Sequence, residues 1–283
     1  MNIKPDCLVC LYNQALKTTK LLELDDEKSA EILFEVAKIL PNYSLNFTPP
    51  QIAKDTYALI EKLTNNPDPL KVSKENSIKQ AKAFKPFLYK KLEQSKDKLL
   101  TALKIAVAGN VIDFGAQKQI NLEKLLNEIF DTDFKIDFYK ALKTKLNSAK
   151  KVVVLGDNCG ENIFDVILVD TLKQLYDIEV FYFVRGKPII NDVTIKEANE
   201  SDMKKFATII DSGVPTPGYD LNYASEYSKT IFEEADVVIS KGMGNFESLY
   251  KVTNKEVFYL FIVKCNVIAQ EINCGIKDLI LMK

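Results

Sequence analysis

"VVVLGDNCGEN", residues 152–162, decides the fold. Four apolar residues, three of them β-branched, make a run too uniformly apolar for a strand with one wet face. They predict a strand buried on both sides, the kind found in parallel sheets covered by helices. Yet this strand ends in Asp157, Asn158 and, a little further on, Glu161. Such groups are costly to hold beside a core unless a partner offsets their desolvation, and a bound cation is the leading partner.

Downstream, short β-rich runs alternate with helical ones: "ENIFDVILVDTLKQLY", "IEVFYFV", "FATIID", "LNYASEYSKTIFEEA", "DVVISKG", "GNFESLY", "VFYLFIV", "NVIAQEI". Alternation of this type means parallel strands joined by right-handed crossovers, a three-layer α/β/α sandwich with a mostly parallel sheet. A last short run, "DLILM", is expected as an edge strand. Upstream the pattern is helical. "CLVCLYNQALKTTKLLEL" places Leu8, Leu11, Ala15, Leu16 and Leu22 at helical spacing, and "DDEKSAEILFEVAKILP" ends at Pro41. "TPPQIAKDTYALIEKL" opens with Thr48 as N-cap and prolines in the first turn. "NPDPLKVSKENSI" reads as a loop before a long helical stretch through Leu103. The expected division is a helical domain over 1–105 and a sandwich domain over 106–283, with "AVAGNVIDFGAQ" and "INLEKLLNEIF" packing on the sheet.

Composition narrows the chemistry. Thirty-eight basic and 39 acidic residues nearly cancel, giving no electrostatic case for nucleic acid or an anionic membrane. No apolar run is long enough to span a bilayer, and "MNIKPDCLVCLYNQ" lacks the ordered zones of a signal peptide, so a cytoplasmic protein is expected. Five cysteines, an odd count in a long chain, fit a reducing compartment. Histidine is absent, which removes histidine-based catalysis and histidine metal sites. Acid–base work falls to carboxylates, lysine, tyrosine or metal-bound water.

Open α/β sheets bind ligands beyond the carboxyl ends of their strands. Four such ends carry "GDNCGE", "RGKPIINDVT", "DSGVPTPG" and "KGMGNFE". Asp157, Asn158 and Asp192 offer hard oxygen ligands with two negative charges, the donor set that magnesium or manganese takes alongside waters and a phosphate oxygen. Lys241 and Gly242 stand where a lysine and close backbone N–H groups meet an anion ahead of a helix. Arg185 adds a cation at a neighbouring strand end, and Ser212 and Thr216 add hydroxyl donors in a turn that reads equally well as an ordinary proline-stiffened loop. Asn110 and Asp113, three apart, fit a helix cap as well as a site. Cys7 and Cys10, one helical turn apart, fit half a metal site or, better, two small residues fastening the N-terminal helix.

Four of these segments together, "GNVIDF", "GDNCGE", "RGKPIINDVT" and "KGMGNFE", resemble the metal-dependent damage-control phosphatase family, long catalogued as a domain of unknown function. "CLVC" resembles its prokaryotic subgroup with an N-terminal Cys-x-x-Cys pair. The resemblance implies an α/β/α sandwich with a helical part, and a divalent metal (Mg, Mn, Co or Ni) held by Asp157, Asn158 and Asp192. It implies phosphate contacts from Asn110 and Lys241, and hydrolysis of phosphate monoesters of small metabolites, some of them damaged side products. Two schemes fit. A metal-bound water attacks phosphorus, steered by Glu161 or Asp113, or Asp157 attacks and forms an aspartyl-phosphate. The rivals are an S-adenosylmethionine-dependent methyltransferase, whose loop wants more glycines than Gly156 and Gly160, and a non-catalytic nucleotide-binding module.

Overall fold

The computed structural model describes residues 1–111 and 119–283. In chain order the elements are α1 (Pro5–Leu21), α2 (Asp26–Ile39), α3 (Pro49–Thr64), α4 (Lys71–Gln94), α5 (Lys98–Val111), α6 (Gln119–Asp131) and β1 (Phe134–Asp137). Then come α7 (Tyr139–Leu146), β2 (Lys151–Leu155), α8 (Glu161–Leu175), β3 (Glu179–Val184), α9 (Ile195–Asn199) and β4 (Thr208–Asp211). The last six are α10 (Glu226–Glu234), β5 (Val237–Lys241), α11 (Gly242–Leu249), β6 (Phe258–Ile262), α12 (Asn266–Glu271) and β7 (Leu279–Met282).

Among the described residues seven strands form one sheet in the order β1-β7-β6-β5-β2-β3-β4, parallel throughout except for the antiparallel β6–β7 pair. As expected for a strand covered on both faces, β2 alternates between two cores. Val152 and Val154 join the apolar cluster under α4, α5 and α8, while Val153 and Leu155 join the one under α10, α11 and α12. The fold is thus the α/β architecture expected, with helices on both sides of a mostly parallel sheet. Residue 105, where the domain boundary was expected, falls inside α5, and the buried residues of α4 and α5 share a cluster with the sheet. Helices α1–α3 enclose smaller cores of their own, which also take in Ile189 from the loop after β3 and Val267 from α12. These helices therefore cover the carboxyl ends of the strands.

Two local expectations are corrected, and one strand is added. "DLILM" is not an edge: β7 lies between β1 and β6 with all four residues buried, which is what four consecutive apolar side chains demand. The segment 66–78 is a loop only up to Leu70, because α4 starts at Lys71. There the Lys74 ammonium, 1 % exposed, bonds Asp68 at 2.6 Å and Glu197 at 2.9 Å, so a polar stretch is drawn inward by ion pairing. β1, flanked by aspartates, carried no strand signal and forms one edge of the sheet.

Candidate active site

The strand order places β2 at the centre, with β3 and β4 wound to one side and β5 and β6 to the other. The direction of winding reverses between β2 and β5, where an open α/β sheet leaves a crevice at its carboxyl edge. The residues leaving those two strands are Gly156-Asp157-Asn158 and Lys241-Gly242. Asn245, one turn into α11, ties the two ends together. Its amide nitrogen donates to the carbonyls of Gly156 (3.0 Å) and Lys241 (2.7 Å).

Asp157, Asn158 and Asp192 meet here. Asn158 and Asp192 form an isolated antiparallel bridge, the Val193 N–H donates to the Asp157 carbonyl at 2.9 Å, and the Cys159 N–H donates to that of Asn191 at 2.8 Å. The loop after β3 is thereby pinned against the loop after β2. Arg185, 2 % exposed, donates through Nε to Asp192 Oδ2 at 2.6 Å and holds Nη2 3.6 Å from Asp157 Oδ1. Behind this loop, Lys74 and the Thr194 N–H (3.0 Å) both bind the Glu197 carboxylate, anchoring the segment that follows Asp192.

Glu161 opens α8, and Asn110 comes down on it from the end of α5. The approach is close enough that a Cβ on Gly109 would lie 3.0 Å from Glu161 Cα. The Asn110 amide donates to Asp157 Oδ2 (3.1 Å) and Glu161 Oε1 (2.6 Å), and the Asn158 amide donates to the same two oxygens at 3.0 and 2.7 Å. The second oxygen of Glu161, Oε2, and the amide oxygen of Asn110, Oδ1, are buried with no hydrogen-bond partner among the described residues. Asp113 lies outside the described residues.

Lys241 stands elsewhere than a phosphate ligand would. Fully buried beneath Glu161, it bonds Asp165 at 2.5 Å and lies 3.5 Å from Glu161 Oε2. Tyr182 donates its hydroxyl to the second oxygen of Asp165 at 2.8 Å. Burial alone would lower the Lys241 pKa, but Asp165 and Glu161 outweigh it, so the ammonium stays charged. Ser212 is turned inward too, donating to the Val184 carbonyl at 2.5 Å, and Thr216 donates to that of Gly218 at 2.7 Å.

Gly242 has φ +75° and packs against the Asp157 carboxylate, where a Cβ would sit 1.8 Å from Oδ2. Both facts demand glycine. Gly242→Ala is expected to push Asp157 out of the cluster and to cut turnover at least tenfold, with a fall of about 2 kcal/mol in stability from strain and repacking. Steady-state kinetics beside thermal melting of the purified variant check this.

The electrostatics ask for more positive charge. Burial pushes the Asp157 carboxyl well above the carboxylate range, and the charges of Glu161 and Asp192 push it further against Arg185 and Lys264. Burial likewise raises Asp192 to about 6 although Arg185 pulls it down. Among the described residues no three side chains drawn from His, Cys, Asp and Glu gather as one metal centre. The set at the crevice is instead two carboxylates and an amide, plus buried oxygens left without partners. That donor chemistry fits a hard divalent cation.

Two cavities open onto the cluster. One, of about 550 Å³, is lined by Asp157, Asn158 and Asp192 together with Cys7 and Cys10 from α1 and Cys265 just before α12. The other, of about 710 Å³, is lined by Asn110, Asn158 and Glu161. Lys264, just past β6, lines both. All five cysteines are free thiols. Sequence reasoning missed Asp165, Tyr182 and Lys264. The signals were present: an acid one turn beyond Glu161 in an otherwise apolar helix, and a lysine directly after an apolar strand.

Comparison with known proteins fits this geometry. The family described as damage-control phosphatase ARMT1-like domain matches residues 3–280. An uncharacterised protein of Methanocaldococcus jannaschii is 32% identical over 295 residues, covering 100% of this chain and 96% of its own length. A damage-control phosphatase of Pyrococcus horikoshii is 28% identical over 285 residues, and one of Archaeoglobus fulgidus is 29% identical over 288, each covered to 98%. A crystal structure of a DUF89 family protein from Pyrococcus horikoshii superposes with a TM-score of 0.94 at 28% identity, covering 100% of this chain and 99% of that one.

Proposed function

This chain belongs to the ARMT1-like damage-control phosphatase family, and on that premise we propose that it is a divalent-metal-dependent phosphatase. Its substrates are phosphate monoesters of small metabolites, damaged ones among them, and it works in the cytoplasm. Among the described residues no helix is long and apolar enough to cross a membrane. The observation that carries the reading is the pinning of Asp157, Asn158 and Asp192 together at the switch point of the sheet.

Asp157, Asn158 and Asp192 would hold the cation, Mg, Mn, Co or Ni, which when bound supplies charge stabilisation for the phosphoryl oxygens and a more acidic water. Arg185 fixes the Asp192 carboxylate, leaving its second oxygen for the ion. Asn110 holds Asp157 and Glu161 in register with each other. Glu161 Oε2, buried without a hydrogen-bond partner among the described residues and 3.5 Å from the Lys241 ammonium, is the oxygen that takes the proton of the attacking water. Lys264, exposed at the meeting of the two cavities, binds phosphoryl oxygens in the place foreseen for Lys241. Asp157 Oδ2 is occupied by two amide donors and walled by Gly242, which favours water over Asp157 as nucleophile.

Hydrolysis of p-nitrophenyl phosphate tests the proposal. Release of p-nitrophenol is expected with Mn²⁺, Co²⁺, Ni²⁺ or Mg²⁺ and is expected to stop with a chelator. Chelator-insensitive turnover, or no turnover together with thermal stabilisation by S-adenosylmethionine, overturns it.

A further inference from the structure

The two cavities that share Asn158 and Lys264 differ sharply in charge. Apart from the metal-site acids, the 550 Å³ lobe carries Asp6 and Glu247 and has Lys264 as its one cation among the described residues. The 710 Å³ lobe carries Lys264 and Lys277 on one wall, and its one acid among the described residues is Glu161, 2 % exposed and already engaged by Asn110 and Asn158. The chain as a whole is nearly neutral, so this is a local accumulation of positive charge.

Many lysines of this protein face a carboxylate, as Lys150 does Asp177 or Lys145 does Glu256. Lys264 and Lys277 are exposed, and among the described residues neither ammonium has an ion pair or a hydrogen bond. They stand side by side in the fold: the Lys277 N–H donates to the Val263 carbonyl at 2.8 Å, immediately before Lys264. Lys277 also has φ +73°, a left-handed conformation that a residue with a Cβ adopts at a cost, and it is the backbone bond to Val263 that fixes it there. A pair of unneutralised ammonium groups on one wall of a cavity is a point-charge receptor for anionic oxygens. A single phosphoryl group seated at the crevice uses Lys264 and leaves Lys277 unmatched.

We propose that the lysine-lined lobe recognises a second anionic group of the substrate, so that the preferred esters are bis-anionic metabolites, sugar bisphosphates or phosphorylated hydroxy acids. This rests on the crevice being the phosphoryl end. The phosphoryl group sits against Asp157, Asn158 and Asp192, and the distal phosphate or carboxylate reaches along the lobe to Lys277.

Two measurements test it. Calorimetry in the presence of Mn²⁺ compares propylphosphonate with 3-phosphonopropionate, a pair of similar length that cannot be hydrolysed and that differs in a terminal carboxylate. Steady-state kinetics compare glucose 1-phosphate with glucose 1,6-bisphosphate, which distinguishes a phosphate from a carboxylate as the second anion. The bis-anionic member is expected to bind, and to react by kcat/KM, at least tenfold better. That ratio is expected to fall to near one in Lys277→Gln, to survive in Lys277→Arg, and to shrink with added salt. Equal affinities in the wild-type protein, or a ratio untouched by Lys277→Gln in a variant that melts normally, overturn the proposal. Selective binding of 3-phosphonopropionate with no ester hydrolysed overturns the phosphatase reading and leaves the subsite standing.

Discussion

Asp157→Asn is expected to lower kcat/KM by about three orders of magnitude while making the metal-free protein more resistant to heat. On the proposed reading, the loss follows from removing one of two negative charges that would hold the cation. Several kcal/mol of transition-state stabilisation would depend on that ion, at about 1.4 kcal/mol per tenfold in rate. The gain follows from the same electrostatics. Asp157 and Asp192 both bind protons more tightly folded than unfolded, through burial first and then, at Asp157, through neighbouring carboxylates. A carboxyl whose folded pKa is raised costs stability once pH climbs above its unfolded value, and the cost is complete above the folded one. For Asp192 that window runs from the ordinary aspartate range to about 6. In chelator, the wild-type Tm is therefore expected to fall as pH is taken from 5 to 7.5. Mn²⁺ is expected to raise Tm more at pH 7.5 than at 5, because protons compete for the same oxygens. The Asn variant flattens both trends. Melting curves at the two pH values, with and without Mn²⁺, decide the matter, and a variant less stable than wild type in chelator speaks against the charge argument.

Lys241→Met is the second large effect, and it falls on stability. The ammonium lies between Asp165 and Glu161 with no access to solvent, so its removal leaves two carboxylates buried without a countercharge. Breaking such a cluster costs about 4 kcal/mol, or about 10 °C in Tm for a chain of this size. Adding Asp165→Asn is expected to return about half of the loss, since the amide still accepts from Tyr182 and no longer needs the charge. Urea denaturation of the single and double variants measures both. A lysine that bound phosphate at the surface would give the opposite pattern, lost turnover at unchanged stability.

The contrast shows which parts of the site were legible. Asp157 and Asn158 could be read because they break a run whose apolarity guarantees burial, so their cost needed a reason. Asp192 was found because a second strand end carried the same chemistry. Lys241 was found but misjudged, since position after a strand does not say whether a side chain turns toward ligand or core. That depends on Asp165, seventy-odd residues away in sequence, a separation that no local pattern spans. Ser212 failed for the same reason: a hydroxyl in a glycine turn serves the backbone as readily as a ligand. In the fold, the alternation of strands and helices was legible because it is local. The interior position of β7 was not, because four residues carry little pattern and their neighbours come from distant parts of the chain.

That position bears on how the chain assembles. Among the described residues β1 pairs with β7 alone, and their paired residues Phe134 and Leu279 are 145 apart (279 − 134). During synthesis β1 must wait, its backbone donors and acceptors unmatched, while β2 to β6 emerge and pair on the other side of the gap. Loop closure over such a separation is slow, and an unmatched strand is a template for the wrong neighbour. β7 is thus the keystone of folding, and the nascent chain is most prone to aggregate in the interval before β7 has been made.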